Sequence, residues 1–258
     1  MAGFDDDLHR RVRSDDGSCT AYSEAYGEHY HSTKDGALTE SLKKHVIPAF
    51  ACFEDAPSLR ILDICFGLGF NTLATLYHLR QNGIRKRLEI VSPEMDEALV
   101  RSLKAFEYPE AFRPLLPVID ALSETGRYED ETVKIEVLFG DARKLLPTFG
   151  APFDIVYQDA FSPEHNPVLW TKEYFAELAR LTHANSVVTT YSTALKTRLA
   201  LHENGFKVYL NKGDGFRNAT VASRRELPLF ASVDMAHKIA CNPGVASLRD
   251  AEWLSMGE

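Results

Sequence analysis

The sequence predicts a single α/β domain built around a mostly parallel sheet, and three observations predict it. Strand-like and helix-like segments alternate from Arg60 to Glu203, as consecutive βαβ units do. The run Thr132–Phe139 (TVKIEVLF) alternates and then turns fully apolar, as a strand entering a sheet covered on both faces would. The 258 residues, 45% hydrophobic and 26% charged, match one large domain with a true core.

Taken in order, residues 1–35 are polar and rich in Gly, Ser and Tyr, and read as an N-terminal extension with a mobile start and an extended or hairpin segment around Thr20–Tyr30. From Gly36 the spacing of Leu38, Leu42, Val46 and Phe50 is helical, and Pro48 predicts an early end. Arg60–Cys65 (RILDIC) is a strand and Phe70–Leu79 a helix stopping near Gly83. Leu88–Ser92 is the next strand, followed by a helix through Glu97–Phe106. A helical stretch over Glu110–Ser123 is shortened by Pro114 and Pro117. After the strand at Thr132–Phe139 come a strand at Phe153–Tyr157, a helix at Glu173–Thr182, a strand at Ser186–Tyr191 and a helix at Leu195–Glu203, closed by Asn204-Gly205. Phe206–Leu210 and Ala219–Ser223 then form a C-terminal antiparallel strand pair. The main domain is thus expected over residues 36–226, with 227–258 as a weakly patterned tail or docking helix.

Several classes are disfavoured. No run of eighteen apolar residues exists, so no membrane span is expected, and the charged N-terminus lacks the apolar stretch of a secretory signal. Cys19, Cys52, Cys65 and Cys241 are far apart, which argues against both a zinc site and a disulfide framework and fits a cytoplasmic protein. His29 and His31 alternate on an extended segment without a third ligand, so no metal is expected. A net charge of −8 opposes nucleic-acid binding by bulk charge; Lys196, Arg198, Lys207, Lys212, Arg217, Arg224 and Arg225 nevertheless cluster late in the chain as a possible polyanion-facing side.

The chemistry-bearing residues fall at strand ends. Asp63-Ile64-Cys65-Phe66-Gly67-Leu68-Gly69-Phe70-Asn71 follows a strand and opens a helix, where ligands of doubly wound folds bind, and its glycines admit close backbone approach. Glu94, with Asp96 close behind, ends the second strand and can accept from the ribose hydroxyls of an adenosine ligand, or simply sit at a helix N-terminus. Asp141 can accept from an adenine amine or serve as an N-cap. The fourth strand delivers Asp159 into Ala160-Phe161-Ser162-Pro163, a loop stiffened by proline, followed by Asn166-Pro167 and Trp170. Phe161 and Trp170 are either stacking surfaces for a base or packing aromatics.

The series DICFGLGFN, VSPEMD, LFGDARKLLP, FDIVYQDAFSPEHNPVLWT, TTYST and GFRNATVAS resembles the methyltransferase domain of the MnmC family of bacterial tRNA-modifying enzymes, in particular stand-alone relatives without a fused FAD oxidase. The likeness runs from about Asp16 to Ser223, and the D-A-F-S-P-x-x-N-P-x-x-W run is its most specific part. It implies a Rossmann-like class I methyltransferase that uses S-adenosylmethionine to N-methylate the aminomethyl group of the wobble uridine of tRNA, often 2-thiolated, giving the 5-methylaminomethyl product. The oxidase activity, where needed, would come from separate enzymes. By resemblance Asp63, Gly67, Gly69 and Asn71 belong to the methionine-side loop, Glu94 takes the ribose, Asp141 the adenine, and Asp159 the transferred methyl and acceptor amine. Tyr191 or water would carry the proton, while Phe161, Trp170, Lys212 and Arg217 would contact the substrate. Cys65 departs from the glycine common at its position. Competing expectations are a class I methyltransferase or aminopropyltransferase-like enzyme with a small-molecule or protein acceptor, and a non-catalytic tRNA-binding module.

Overall fold

The computed structural model describes residues 3–252. The N-terminal segment is not loose: β1 (His9–Arg13), β2 (Cys19–Ser23) and β3 (Glu28–His29) form an antiparallel three-stranded sheet. A separate nine-stranded sheet is built from β4 (Ser58–Ile64), β5 (Arg87–Glu94), β6 (Arg127–Glu129), β7 (Val133–Phe139), β8 (Phe153–Gln158), β9 (Thr182–Thr190), β10 (Lys207–Asn211), β11 (Ala219–Ser223) and β12 (Ala231–Ser232), in the order β12-β10-β11-β9-β8-β4-β5-β7-β6. Its centre is parallel; β11 joins β9 antiparallel and pairs antiparallel with β10, giving the expected closing pair.

Side chains alternate along each central strand, so neighbours feed opposite faces. Ile61 and Ile155 pack under the helices of the first half of the chain, with Phe70, Leu73 and Phe112, whereas Leu62 and Val156 meet Trp170, Phe175 and Leu201 on the other face. Chain order reverses at the middle of the sheet: β4 is followed outward by β5 and β7 on one side, and β8 and β9 lie on the other. The gap beyond the carboxyl ends of β4 and β8 is therefore the crevice where doubly wound folds place ligands.

Three elements differ from expectation for local reasons. The first helix continues to Phe50 despite Pro48, because Ser41–Val46 is a π turn and the proline enters the first turn of the final segment, Ile47–Phe50, where its missing N–H costs little. Strand β6 was not anticipated: Gly126, at φ 72°, ends the Leu116–Thr125 helix and reverses the chain onto β7. Strand β9 starts at Thr182 rather than Ser186, its register shifting against β8 between Phe153 and Ile155; there His183 Nε2 lies 2.9 Å from Asp154 Oδ1. Beyond β11 the chain still packs. Leu227, Met235 and Leu248 are buried, and Asp250 pairs with Arg143. Among the described residues no helix is long and apolar enough to cross a membrane.

Candidate active site

A cleft of about 1010 Å³ opens beyond the carboxyl ends of β4, β5, β7 and β8. The loop after β4 reaches it by an unusual path. Cys65 (φ 65°), Gly67 (φ 53°) and Gly69 (φ 74°) all adopt left-handed backbone, which is costly for a residue with a Cβ. A Cβ on Gly69 would stand 2.8 Å from the Phe66 ring, so this glycine is required by the turn itself. Gly67 N donates to Glu94 Oε2 at 2.7 Å and Asp96 N to Glu94 Oε1 at 2.8 Å, so one carboxylate ties the ends of β4 and β5 together. Burial pushes the Glu94 carboxyl above its usual pKa, and those backbone N–H groups oppose the rise.

Asp159, just past β8, sits at the inner end of the cleft. Its Oδ2 accepts from Asn71 Nδ2 at 2.8 Å, and its Oδ1 lies 3.3 Å from His45 Nε2. Burial alone would raise its pKa; His45 and His31, together with the Asn71 hydrogen bond, outweigh burial and hold it below the ordinary carboxylate value. Beneath it Asp63 is 1% exposed and does not line the cleft, accepting instead from Thr72 Oγ1 at 2.8 Å and Asn71 Nδ2 at 3.4 Å. Burial pushes Asp63 up to about 7. Its place is under the loop, orienting Asn71.

Asp141 both lines the cleft and caps the short Ala142–Leu145 helix, accepting from Arg143 N at 2.9 Å, so the two expected roles coexist in one position. Phe161 lines the cleft, stacked on Tyr26 with ring centroids 4.6 Å apart and 25° between planes, and tilted against Tyr30 at 4.9 Å. Glu28 accepts from Ser162 N at 2.8 Å, fastening the N-terminal sheet onto the Asp159–Pro163 loop.

Besides Asp63, three expected roles need correction. Trp170 is 1% exposed, absent from the cleft wall, and donates Nε1 to Phe161 O at 2.7 Å; it packs in the core and props the loop that carries Phe161. Tyr191 lines the cleft, but its hydroxyl donates to Ala160 O at 2.9 Å and burial pushes its pKa well up, so it braces the loop instead of carrying a proton. Lys212 is exposed and away from the cleft, whereas Arg217 stands at the mouth, donating to Ser32 Oγ at 2.9 Å. The late basic cluster is partly spent internally, since Arg198 donates to Thr220 Oγ1, Arg224 to Thr182 O and Arg225 to Cys52 O.

Sequence reasoning missed Tyr26, Tyr30, His31 and His45. The first three lie in the segment expected as an extension, and that segment supplies one wall of the cleft. His45 is buried on the π turn, and its partner Asp159 is distant in sequence, so no local pattern marks it.

The residues fit an S-adenosylmethionine site. Asn71 Oδ1 is a buried acceptor that no donor reaches among the described residues, and each Glu94 oxygen keeps acceptor capacity beyond its backbone bond. A family model described as S-adenosyl-L-methionine-dependent methyltransferase matches residues 107–225. The crystal structure of MNMC2 from Aquifex aeolicus is similar over 95% of this chain and 79% of that one, with a TM-score of 0.81 and 31% identity. The chain belongs to the MnmC family of S-adenosylmethionine-dependent methyltransferases. This methyltransferase is also 32% identical, over 92% of its length, to the tRNA 5-methylaminomethyl-2-thiouridine biosynthesis bifunctional protein MnmC of Ralstonia nicotianae, of which it spans 39%. It is 30% identical to the uncharacterized protein MJ0670 of Methanocaldococcus jannaschii, over 78% of this chain and 55% of that protein.

Proposed function

We propose that the enzyme N-methylates the aminomethyl group of 5-aminomethyl-(2-thio)uridine at the wobble position of tRNA, giving 5-methylaminomethyl-(2-thio)uridine. The observation that carries this is Asp159, a carboxylate kept anionic at the inner end of the cofactor cleft, where an amine would need an acceptor for its N–H groups. The name of the Ralstonia relative, which includes 5-methylaminomethyl-2-thiouridine, supports the same acceptor.

The bound cofactor supplies a methyl group on a sulfonium, ready for in-line transfer. The protein's part is proximity and orientation. Asn71 and the loop around Gly67 and Gly69 take the methionine end, Glu94 the ribose, and Asp141 the adenine. Asp159 holds the acceptor amine. Phe161 and Tyr26 offer ring faces to a splayed-out base at the mouth, as single-stranded RNA recognition commonly uses. Arg217, exposed on the cleft wall beside Ser32 and Asp35, would meet a phosphate.

The test is incubation with methyl-labelled S-adenosylmethionine and tRNA carrying the aminomethyl nucleoside, followed by mass spectrometry of the nucleosides. Labelled 5-methylaminomethyluridine is the expected product. Its absence, with the cofactor bound, would remove this acceptor.

A further inference from the structure

His31 is a buried titratable group left unused so far. It lies two residues past β3, is 8% exposed, and lines the cleft together with Asn71, Asp159 and Phe161. Its Nδ1 lies 3.2 Å from Thr20 Oγ1, and its ring meets Phe70 edge-on with centroids 4.8 Å apart. Among the described residues Nε2 has no hydrogen-bond partner. With Nδ1–H given to Thr20, Nε2 carries a lone pair in the neutral ring. Burial pulls the His31 pKa below its ordinary value; Asp159, Glu40 and Asp16 act the other way, and His45 adds to the fall.

Several other candidate bases around the cleft are engaged. Tyr191 donates to Ala160 O, and the Tyr30 hydroxyl is bonded to His9 Nδ1 at 3.0 Å. Glu94 accepts from two backbone N–H groups, and Glu28 from Ser162 N. Glu40 is tied to Lys44 Nζ at 2.6 Å and Ser32 N at 2.6 Å. The Cys65 thiol is pushed well above its usual pKa by burial. Asp159, held anionic, is a weak base.

We propose that His31 is the general base of the transfer, receiving through Nε2 the proton that the acceptor nitrogen sheds. This rests on the amine acceptor proposed above. The acceptor reacts as its free amine. As its nitrogen lone pair forms the new N–C bond and the methyl's bond to sulfur breaks, the electron pair staying on sulfur, one N–H proton passes to Nε2 in the same step, leaving a neutral secondary amine and an imidazolium. The negative charges of Asp159 and Glu40 stabilise that imidazolium until it releases the proton to water through the open cleft.

Both the free amine and the neutral imidazole are required, so the pH profile carries a signature. For the wild-type enzyme log(kcat/KM) rises with slope one where only the amine titrates, and steepens to slope two below the His31 pKa. His31→Gln is expected to lose about 10²-fold or more in single-turnover rate, the scale of general-base catalysis. It should keep its affinity for S-adenosylmethionine and lose the steep limb, and added imidazole should restore part of the rate of His31→Ala. NMR titration of His31 in the wild-type protein supplies a readout independent of turnover, with an inflection below 6.5. An inflection above 7, or a His31→Gln profile that overlays the wild type, would overturn the proposal. A loss of rate matched by an equal loss of cofactor affinity, with the steep limb retained, would also overturn it by making His31 structural. If the wild-type enzyme fails to methylate aminomethyl-bearing tRNA, this proposal and the acceptor fall together; if it methylates and His31→Gln is unimpaired, only this one falls.

Discussion

Asn71 Nδ2 donates to Asp159 Oδ2 at 2.8 Å, joining the loop after β4 to the loop after β8 across the middle of the sheet. The same amide reaches Asp63 Oδ1 at 3.4 Å, and among the described residues its own oxygen is left without a donor. One side chain thus spans the two loops and still offers an acceptor to the cofactor's methionine end. Asn71→Ala should therefore weaken S-adenosylmethionine binding and slow turnover together. Each hydrogen bond to a charged group is worth about 1.5–3 kcal/mol, which is roughly 10-fold to 150-fold. Calorimetric Kd and single-turnover rate, measured on the same preparation, check this. An effect on turnover alone would exclude Asn71 from the cofactor.

Glu94 makes a second, separable prediction. Glu94→Gln keeps one acceptor oxygen for two backbone N–H groups, so the variant should bind S-adenosylmethionine more weakly and also melt earlier. A loss of about 1–3 kcal/mol in binding is expected, by calorimetry, with a fall in Tm by thermal unfolding. A lower Tm with unchanged Kd would leave Glu94 as a clamp on the Gly67 loop and no more.

Asp63 predicts a pH dependence of stability. Its folded-state pKa, about 7, lies above the ordinary 3.8, so between those values the folded protein holds a proton that the unfolded chain does not. The stabilising contribution is fully present below about pH 4 and is lost as pH rises through about 7. Asp63→Asn removes the titration. Relative to wild type, its Tm should rise between pH 5 and pH 8, by about 2–4 °C for each kcal/mol recovered. Parallel Tm curves for the two proteins across that range would contradict the raised pKa.

Cys65 and Gly69 predict effects on folding. Cys65 occupies φ 65°, where only glycine is unstrained, so Cys65→Gly should be tolerated while Cys65→Val lowers Tm markedly. Gly69→Ala must push Phe66 aside and adopt φ 74°, so it too should lower Tm. Thermal unfolding of the three variants decides this, and a Gly69→Ala protein as stable as wild type would contradict the turn geometry.

The parallel centre of the sheet and its closing pair were legible because strand-like and helix-like segments largely alternate through residues 60–203. The ends of β5, β7 and β8 were legible as sites because acids stand there after apolar runs. Other features were not local. His45 meets Asp159 only through the packing of the first helix against the sheet, and the π turn that carries it has no distinct sequence pattern. The N-terminal segment, polar and without sustained period, reads as an appendage, yet Tyr26, Glu28 and His31 need their neighbours in the fold to become a wall. Trp170 shows the converse. In the sequence its motif left stacking and packing both open, and its burial assigns it to the core.

The central claim is that Asp159 serves the acceptor amine and not the cofactor's binding energy. Asp159→Asn tests it most directly, since it preserves size and one acceptor oxygen while removing the charge. The measurement is single-turnover methylation of aminomethyl-bearing tRNA at neutral pH, with the Kd for S-adenosylmethionine determined alongside. A fall in rate of about 10²-fold or more, with the Kd changed by less than about threefold, is the predicted result for an interaction felt mainly in the transition state. A variant that methylates at the wild-type rate would contradict the account and leave Asp159 as a residue that only shapes its loop.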